Sequence, residues 1–314
     1  MTLTELKYIV AVARERHFGR AAESCFVSQP TLSVAIRKLE DELGVQLFER
    51  GNTEISVTPI GLQVVEQAQR VLEQTNAIRE LARQGKDPLT GPLRVGVIYT
   101  IGPYLLPHLV RRMIDEAPQM PLILQENFTV KLLEALRQGD LDVAILADPF
   151  SDAGLMTQGV YDEPFVVAVP SGHPWARRKA IPADELKGET MLLLGSGHCF
   201  RDHVLEVCPE MARYSQASGG IQKTFEGSSL ETIRHMVASG IGITVLPMMA
   251  RSIGTDDGLL TYVPFQAPVP MRRVSLAWRK SFPRPQAVEA LRKAILDSRL
   301  NWVTPLPDER AVSH

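Results

Sequence analysis

Residues 18–61 read FGRAAESCFVSQPTLSVAIRKLEDELGVQLFERGNTEISVTPIG, and this stretch decides the fold of the N-terminal part of the chain. It predicts a short helix over 18–27, in which Ala21 and Ala22 permit close packing. Ser28 is a good N-cap for the next helix, and Pro30 falls in its first turn, where a missing N–H group costs nothing. The stretch therefore predicts two short helices joined by a tight turn.

The second of these helices has two contrasting faces. Four large apolar side chains fall within about 60° of each other at 100° per residue, which predicts a buried face. They are Leu32, Ile36, Leu39 and Leu43. The opposite side carries small, hydroxyl, amide and cationic groups, which suit a DNA major groove better than a protein core. A helical hairpin with a solvated face fits the same spacing. The candidate DNA-contacting residues are Gln29, Pro30, Thr31, Ser33, Val34 and Arg37.

A small β-ribbon, or wing, is predicted after Gly44. The segment QLFERGNTEISVTPIG places Arg50 before a turn and then alternates Ile55 with Val57, so Arg50 is a candidate contact to phosphate or the minor groove. Bulk charge does not attract DNA, because the net charge is −2 and the first 58 residues carry seven Lys or Arg against eight Asp or Glu. Any DNA contact must depend on where the basic groups sit.

Length and composition indicate a multidomain globular protein. The 314 residues exceed one ordinary domain. Hydrophobic residues make up 45% and charged residues 22%, as in soluble proteins. The sequence shows neither a run of 18 apolar residues nor a basic and apolar secretory signal, so we expect a cytoplasmic protein that does not enter a membrane.

A helix with an apolar stripe is predicted from about residue 59. Val64, Val71 and Ile78 recur every seven residues, which fits a short dimerising helix. The turn residues of GKDPLTGP (85–92) end it and mark a boundary. The predicted domains are a DNA-binding domain over 1–58, a linker helix over 59–86 and a regulatory domain over 87–314.

Beyond Leu93, strand and helix patterns alternate. LRVGVIYT, YLLPHLVRRMIDEAP, PLILQENF, LLEALRQGD and DVAIL follow βαβαβ order, which predicts a parallel sheet covered by helices. A second cycle runs from FVVAVP to the helix AVEALRKAIL. Two α/β lobes of similar size would meet at a cleft, where ligands commonly bind.

The three cysteines, Cys25, Cys199 and Cys208, are too few for a disulfide scaffold. In a cytosolic chain they indicate buried, metal-binding or reactive thiols. Cys25 lies on the small-residue helix, where we expect a buried, inert thiol. A metal site from His198, Cys199, His203 and Cys208 fits no common zinc spacing, so we expect no metal or cofactor.

The segment GSGHCFRDHVLEVC predicts an amphipathic helix beginning near Cys199. Nine helical residues separate Cys199 and Cys208 by about 13.5 Å of rise and place them on opposite faces. A disulfide needs Cα atoms within roughly 7 Å, so the thiols cannot bond until the helix unwinds. Closing a loop of about ten residues removes roughly 2.7 kcal/mol of chain entropy. That is comparable with the cost of melting a short, marginal helix.

The two thiols differ in expected reactivity. Cys199 lies at a helix N-terminus, beside His198 and close to Arg201, where a thiolate is favoured. Cys208 follows apolar residues and suits a resolving partner. Two structural cysteines fit the same pattern. A thiol oxidoreductase would more often carry a C-x-x-C pair. A thiol peroxidase using Cys199 would have no use for the exposed helix face described above.

The quoted stretch 18–61 resembles the N-terminal domain of LysR-type transcriptional regulators almost residue for residue. The linker helix and the two lobes are similar to that family as well, so the resemblance covers nearly the whole chain. It implies a winged helix-turn-helix domain, classed as all-α, before a two-lobed α/β regulatory domain like the periplasmic binding proteins. It also implies a transcription activator and not an enzyme. The implied partners are operator DNA, RNA polymerase and further copies of the chain in a dimer or tetramer.

GHCFRDHVLEVCP, followed by SSLETIRHMVASGIGITVLP, resembles the sensing region of OxyR-type peroxide regulators within that family. The resemblance implies that hydrogen peroxide oxidises Cys199 to a sulfenic acid and that Cys208 then closes a disulfide, which refolds the segment and activates antioxidant genes. A LysR-type sensor of a small metabolite in the cleft is the alternative. We expect His203, which departs from some relatives, to be solvated. Matching positions suggest a peroxide pocket of Thr100, Thr129, His198, Asp202 and Arg272, with Arg273 as the competitor of Arg272.

Overall fold

The structure is a computed structural model that describes residues 1–50, 55–83, 87–150, 152–209, 224–252, 258–307 and 312–313. It divides into two units, Met1–Lys86 and Asp87–His314, which are described in turn.

Helices dominate the first unit. Its elements are α1 (Leu3–Glu15), α2 (Phe18–Ser24), α3 (Gln29–Leu43), β1 (Phe48–Arg50), β2 (Ile55–Val57) and α4 (Pro59–Arg83). A capping box begins α1, because the Thr2 side chain accepts from the Glu5 N–H and the Glu5 carboxylate accepts from the Thr2 N–H at 2.7 Å. α3 begins as predicted, with the Ser28 hydroxyl accepting from the Thr31 N–H at 3.3 Å.

The buried face of α3 is shorter than predicted. Leu32, Ile36 and Leu39 are at most 1% exposed and form the core with α1 and α2. Leu43, however, is 38% exposed. It ends α3, and Gly44 then turns the chain in the left-handed conformation, so Leu43 extends past the packed helices.

The wing and α4 complete this unit. β1 pairs antiparallel with β2, with Phe48 opposite Val57, as the alternation predicts. α4 packs against α1 and buries Ala68. Val71 and Ile78, two residues of the predicted seven-residue repeat, are 43% and 65% exposed on α4.

The second unit has the predicted alternation of strands and helices. Its first part comprises β3 (Leu93–Ile98), α5 (Gly102–Glu116), β4 (Leu122–Asn127), α6 (Thr129–Gln138), β5 (Val143–Ala147) and β6 (Leu155–Pro170). Its second part comprises β7 (Met191–Leu194), α7 (Cys199–Val207), β8 (Thr224–Gly227), α8 (Leu230–Ala238), β9 (Thr244–Pro247), β10 (Leu260–Pro264), β11 (Met271–Arg279), α9 (Pro285–Asp297), β12 (Thr304–Pro305) and β13 (Val312–Ser313). Short 3₁₀ helices cover Pro174–Arg177, Ala183–Gly188 and Met248–Ser252.

One long strand, β6, runs through both lobes. β3 pairs in parallel with β4 and β5, and β11 then pairs antiparallel with β5 and with the first part of β6. The last part of β6 pairs antiparallel with β9 and β10 in the second lobe, where β7 and β8 also pair in parallel. The carboxyl ends of β3 and β4 and the amino end of α7 bring the candidate sensing residues together. Among the described helices, none combines the length and apolarity that a bilayer span requires.

Candidate functional site

α7 separates the two cysteines as predicted. His198 is its N-cap, Cys199 its first residue and Cys208 its C-cap, and no disulfide joins the two cysteines. The helix is docked firmly, because Phe200, Val204 and Cys208 are each at most 2% exposed. Burying one large apolar side chain contributes about 1.5–3 kcal/mol. Unwinding α7 therefore costs more free energy than the chain entropy of closing the disulfide loop can offset. The free energy of oxidation must supply the difference.

His203 belongs to this docked face, so the expectation of a solvated residue is wrong. It is 6% exposed, and its Nε2–H donates to the carbonyl oxygen of Asp148 at 2.7 Å. The rings of Phe165 and Phe200 lie 6.2 and 6.4 Å from its ring. Burial lowers the pKa of His203, while the hydrogen bond to the Asp148 backbone opposes that shift. A neutral histidine therefore fastens the middle of α7 to the loop after β5.

A small cavity of about 10 Å³ lies at the amino end of α7. Three of the predicted pocket residues, Thr100, Thr129 and His198, line it together with Cys199. Ile98, Tyr99, Asn127, Phe128 and Gly197 complete the lining. A cavity of this size holds about one water molecule. The cavity accordingly fits a very small polar molecule against the Cys199 thiol.

Arg272 orders one wall of the cavity. Its Nη1 donates to the Thr100 hydroxyl at 2.8 Å and its Nη2 to the Thr100 carbonyl at 2.9 Å. The guanidinium also lies over the Phe200 ring, 5.2 Å from its centroid. Since the Thr100 hydroxyl oxygen accepts from Arg272, its own proton is available for donation into the cavity.

Glu163 holds Arg272 in place. The two residues are cross-strand partners on β6 and β11, and their side chains are each 1% exposed. Glu163 Oε2 accepts from Arg272 Nε at 2.9 Å and Nη2 at 2.8 Å, while Oε1 accepts from the Met249 N–H at 3.0 Å. The pair is electrically neutral, and its mutual attraction together with the hydrogen bonds to Met249 and Thr100 offsets part of the penalty for burying the two charges.

The Cys199 thiol is less acidic than its helix position predicts. Burial raises its pKa, and the Thr129 hydroxyl and the Arg272 guanidinium oppose that shift. Arg201, the predicted neighbouring cation, instead donates to the carbonyl of Leu194. The expectation of a favoured thiolate is therefore wrong in direction, because desolvation outweighs the nearby donors.

Thr129 and His198 complete the polar wall. The Thr129 hydroxyl is buried and makes no hydrogen bond to a nitrogen or oxygen of the described residues, so its remaining hydrogen-bonding capacity faces Cys199 and the cavity. Burial lowers the pKa of His198, and a hydrogen bond to the Ser228 backbone opposes this. His198 is therefore a neutral ring, linked to the loop that leads into α8.

Two expected residues lie elsewhere. Asp202 is exposed in the first turn of α7 and does not line the cavity. Arg273 is exposed and pairs with Asp162 at 2.9 Å, so Arg272 is the cation of this site. Sequence reasoning missed Glu163, Tyr99 and Phe128. The FVVAVP pattern indicated a strand next to Glu163, but the register that pairs Glu163 with Arg272 is a long-range property.

The predicted DNA-contacting face of α3 is open to solvent. Gln29, Pro30, Thr31, Val34 and Arg37 are exposed, and Ser33 is half-buried. Arg50 ends β1 beside the wing turn, and its side chain lies outside the described part of the chain.

Cys25 is half-buried at the C-terminus of α2, more accessible than expected. Among the described residues, no group of three or more His, Cys, Asp or Glu side chains is arranged to hold a metal ion.

A winged helix-turn-helix unit and a two-lobed unit with a thiol cavity define a DNA-binding regulator with its own sensor domain. Family comparisons agree. Residues 3–62 match the bacterial regulatory helix-turn-helix protein, lysR family, and residues 86–299 match the LysR substrate binding domain. The chain belongs to the LysR family of transcriptional regulators.

Named relatives cover almost the whole chain. It is 41% identical to the DNA-binding transcriptional dual regulator OxyR of Escherichia coli K12 over 94% of this chain and 95% of that protein. It is 37% identical to the probable hydrogen peroxide-inducible genes activator of Mycobacterium leprae, over 94% and 93% of the two chains.

Solved structures extend the likeness to the fold. Full-length OxyR from Pseudomonas aeruginosa, a cysteine-to-aspartate mutant, is 52% identical over 99% of both chains, with a TM-score of 0.79. A hydrogen-peroxide-bound cysteine mutant of Corynebacterium glutamicum OxyR is 32% identical over 95% of this chain and 92% of that chain, with a TM-score of 0.62.

Proposed function

We propose that this chain is a hydrogen-peroxide-sensing transcription activator that binds operator DNA through α3 and the wing. The observation that carries the sensing role is the cavity against Cys199, which admits one very small polar molecule between hydroxyl groups. One named relative is a probable hydrogen peroxide-inducible genes activator, and one related structure is a peroxide-bound form. The proposed partners of this protein are operator DNA, hydrogen peroxide, RNA polymerase and further copies of the chain.

The first chemical step is attack of the Cys199 sulfur, as thiolate, on one oxygen of hydrogen peroxide. The S–O bond forms as the O–O bond breaks, so the thiol is oxidised to a sulfenic acid and the peroxide is reduced to water after taking one proton. The Thr100 hydroxyl, held as a donor by Arg272, stabilises the negative charge that develops on the leaving oxygen. The buried Thr129 hydroxyl orients the peroxide beside the sulfur.

The second step joins the cysteines. The Cys208 thiol attacks the sulfur of the Cys199 sulfenic acid, the S–S bond forms and a second water leaves. Because nine helical residues separate the two positions, α7 must unwind before the Cα atoms come within roughly 7 Å. Unwinding releases Phe200 and His203 from their buried contacts. This local refolding is the change that the sensor passes to the rest of the protein.

The DNA-binding role uses the exposed face of α3. Gln29, Pro30, Thr31, Ser33, Val34 and Arg37 contact the major groove, and Arg50 contacts phosphate or the minor groove. We assign DNA binding to residues 1–58, dimerisation to the linker over 59–86, and sensing to 87–314. The exposed apolar row of Val71 and Ile78 on α4 supports the dimerisation role.

The test is peptide mapping of the alkylated full-length protein before and after brief exposure to micromolar hydrogen peroxide. We expect the reduced thiols of Cys199 and Cys208 to become one intramolecular disulfide. A parallel sample of Cys208→Ser should stop at the sulfenic acid and react with a dimedone probe at Cys199. A bond to Cys25, or no reaction, would contradict the proposal and favour a metabolite sensor.

A further inference from the structure

Three aromatic rings surround the mouth of the cavity beside Cys199. Phe128 lies 5.3 Å from Tyr99 and 4.8 Å from His198, and Tyr99 lies 5.9 Å from His198, all edge to face. Edge-to-face ring contacts are attractive, so the rings support one another. We call the rings of Tyr99, Phe128 and His198 the aromatic lid.

The aromatic lid joins three separate parts of the second unit. Tyr99 follows β3, Phe128 lies between β4 and α6, and His198 caps α7. All three line the cavity that contacts Cys199. Tyr99 is 40% exposed, while Phe128 is half-buried and His198 is 9% exposed. The outer side of the lid therefore faces solvent and its inner side faces the thiol.

Phe128 holds the central place in this lid. It alone contacts both other rings more closely than they contact each other. Its ring also closes the side next to Gly197, where a Cβ would lie 3.4 Å from Phe128 Cδ1. Phe128 is the N-cap residue of α6, and its phenyl ring carries no group that could cap the helix with a hydrogen bond. The ring therefore restricts space at the cavity without serving as a polar anchor for the helix.

The size of the cavity defines which oxidants fit. About 10 Å³ is the space of roughly one water molecule. Hydrogen peroxide adds only one oxygen to that, whereas an organic hydroperoxide adds several carbon atoms next to the reacting oxygens. Those carbons would overlap the Phe128 or Tyr99 ring. Rings that are packed against each other resist such displacement.

From this geometry we infer that Phe128, together with Tyr99, is a specificity-determining residue that restricts the Cys199 site to hydrogen peroxide and excludes organic hydroperoxides. The inference rests on the proposed function of Cys199 as the peroxide-reactive nucleophile. The reaction of Cys199 with an organic hydroperoxide, which the site excludes, would follow the same steps as its reaction with hydrogen peroxide. Sulfur bonds to the terminal oxygen of the hydroperoxide, the O–O bond breaks, and the alkoxide leaves as an alcohol after protonation.

The experiment measures Cys199 oxidation in reduced, full-length protein with two oxidants, hydrogen peroxide and cumene hydroperoxide. Quenching with an alkylating agent and peptide mapping gives a rate for each. For the wild-type chain we expect hydrogen peroxide to react far faster. Phe128→Ala should raise the ratio of the cumene hydroperoxide rate to the hydrogen peroxide rate about tenfold or more, the usual scale for selection by pocket size.

Control variants distinguish a selective effect of the aromatic lid from a general loss of packing. Phe26→Ala makes the same change at a side chain that is 96% exposed in the first unit, and it should leave the ratio unchanged. Phe128→Leu should give an intermediate ratio. Tyr99→Ala should raise it without altering α6, which keeps the test valid if Phe128→Ala folds poorly.

Two failures are distinguishable. If hydrogen peroxide oxidises Cys199 in every protein but the ratio stays within about twofold of wild type in the lid variants, the lid has no selective role. If wild-type Cys199 does not react with hydrogen peroxide at all, the proposed function fails, and the inference falls with it.

Discussion

Arg272 donates to both the hydroxyl and the carbonyl of Thr100, at 2.8 and 2.9 Å, so one guanidinium fixes the side chain and the backbone of the same residue. This relationship sets the polarity of the cavity. Because the Thr100 hydroxyl oxygen accepts from the guanidinium, its own proton must point away from Arg272. The Thr100 side chain borders the cavity next to Cys199, so the hydroxyl can donate this proton into the cavity.

Thr100→Val should therefore slow peroxide oxidation of Cys199 about a hundredfold, as expected when one preorganised donor to a developing oxyanion is removed. Valine keeps the shape of threonine, so the cavity stays closed. The rate comes from quenched-flow alkylation under excess peroxide. Thr261→Val, on β10 and away from the cavity, is the matched control. Equal rates in the two variants would show that the Thr100 hydroxyl does not stabilise the leaving oxygen.

Glu163→Gln should move the pH midpoint of Cys199 alkylation to lower pH. Burial raises the pKa of the Cys199 thiol and Arg272 opposes that shift. Removing the carboxylate that neutralises Arg272 leaves a stronger positive potential, so the thiolate forms at lower pH. The midpoint is read from iodoacetamide rates across a pH series.

The same substitution should lower the free energy of unfolding by about 3 kcal/mol, because it leaves a buried charge without its counter-ion. The control is Asp162→Asn. It removes the carboxylate that pairs with the exposed Arg273, one residue along each strand from the buried pair. It should cost at most about 1 kcal/mol and leave the Cys199 profile in place. If both variants give the wild-type midpoint, Glu163 acts only as a packing residue.

His203 makes the stability of the reduced protein depend on pH. Its pKa is lowered in the folded state, first by burial and then by Arg272, against the Asp148 hydrogen bond and the charges of Glu206 and Asp202. As pH falls through the ordinary histidine range, the unfolded chain binds a proton that folded His203 does not accept. Stability is therefore present above that range and is lost as pH falls.

The prediction is a decline in unfolding free energy of the reduced protein from pH 7.5 to 5.5 that is smaller in His203→Gln. Urea titrations at several pH values measure it. His235→Gln changes an exposed histidine on α8 and should keep the wild-type slope. If His203→Gln also keeps that slope, His203 is not the group that makes the stability of the reduced protein depend on pH.

Local sequence signals predicted the elements that carry the site. The Ser28 cap placed the start of α3, and the apolar spacing around Phe200 placed α7. Contacts across long sequence distances were not predictable. The burial of His203 was not predictable from local sequence, since its acceptor, the carbonyl of Asp148, lies 55 residues away. The prediction that the neighbouring Asp202 lines the pocket is wrong, because its side chain is exposed on α7.

The Cys199 thiol shows the same limit in its electrostatics. A helix N-terminus with nearby cations predicts a lowered pKa. The sequence does not reveal how completely the fold buries that sulfur, and burial is the dominant contribution. It also does not give the strand register that pairs Glu163 with Arg272 across β6 and β11. Local periodicity thus predicted positions, while tertiary packing determined the chemistry of each group.

Arg37→Ala tests the DNA-binding half of the protein independently of the sensor. Arg37 is exposed on the face of α3 opposite its buried leucines. A base-contacting arginine contributes about 1–3 kcal/mol, so operator affinity should fall roughly tenfold or more. Binding is measured by fluorescence anisotropy at several salt concentrations, because a lost phosphate contact reduces the salt dependence and a lost base contact relaxes specificity.

The control variant is Arg14→Ala, which removes an exposed arginine of α1 that pairs with Glu15. Both variants have the same net charge, so a general electrostatic effect would weaken binding equally in the two. A selective loss in Arg37→Ala assigns the contact to the α3 face. Peroxide oxidation of Cys199 should proceed at the wild-type rate in both variants, since both changes lie in the first unit and Cys199 lies in the second. A loss of operator binding in Arg14→Ala equal to that in Arg37→Ala would show that the exposed face of α3 is not the surface that contacts DNA.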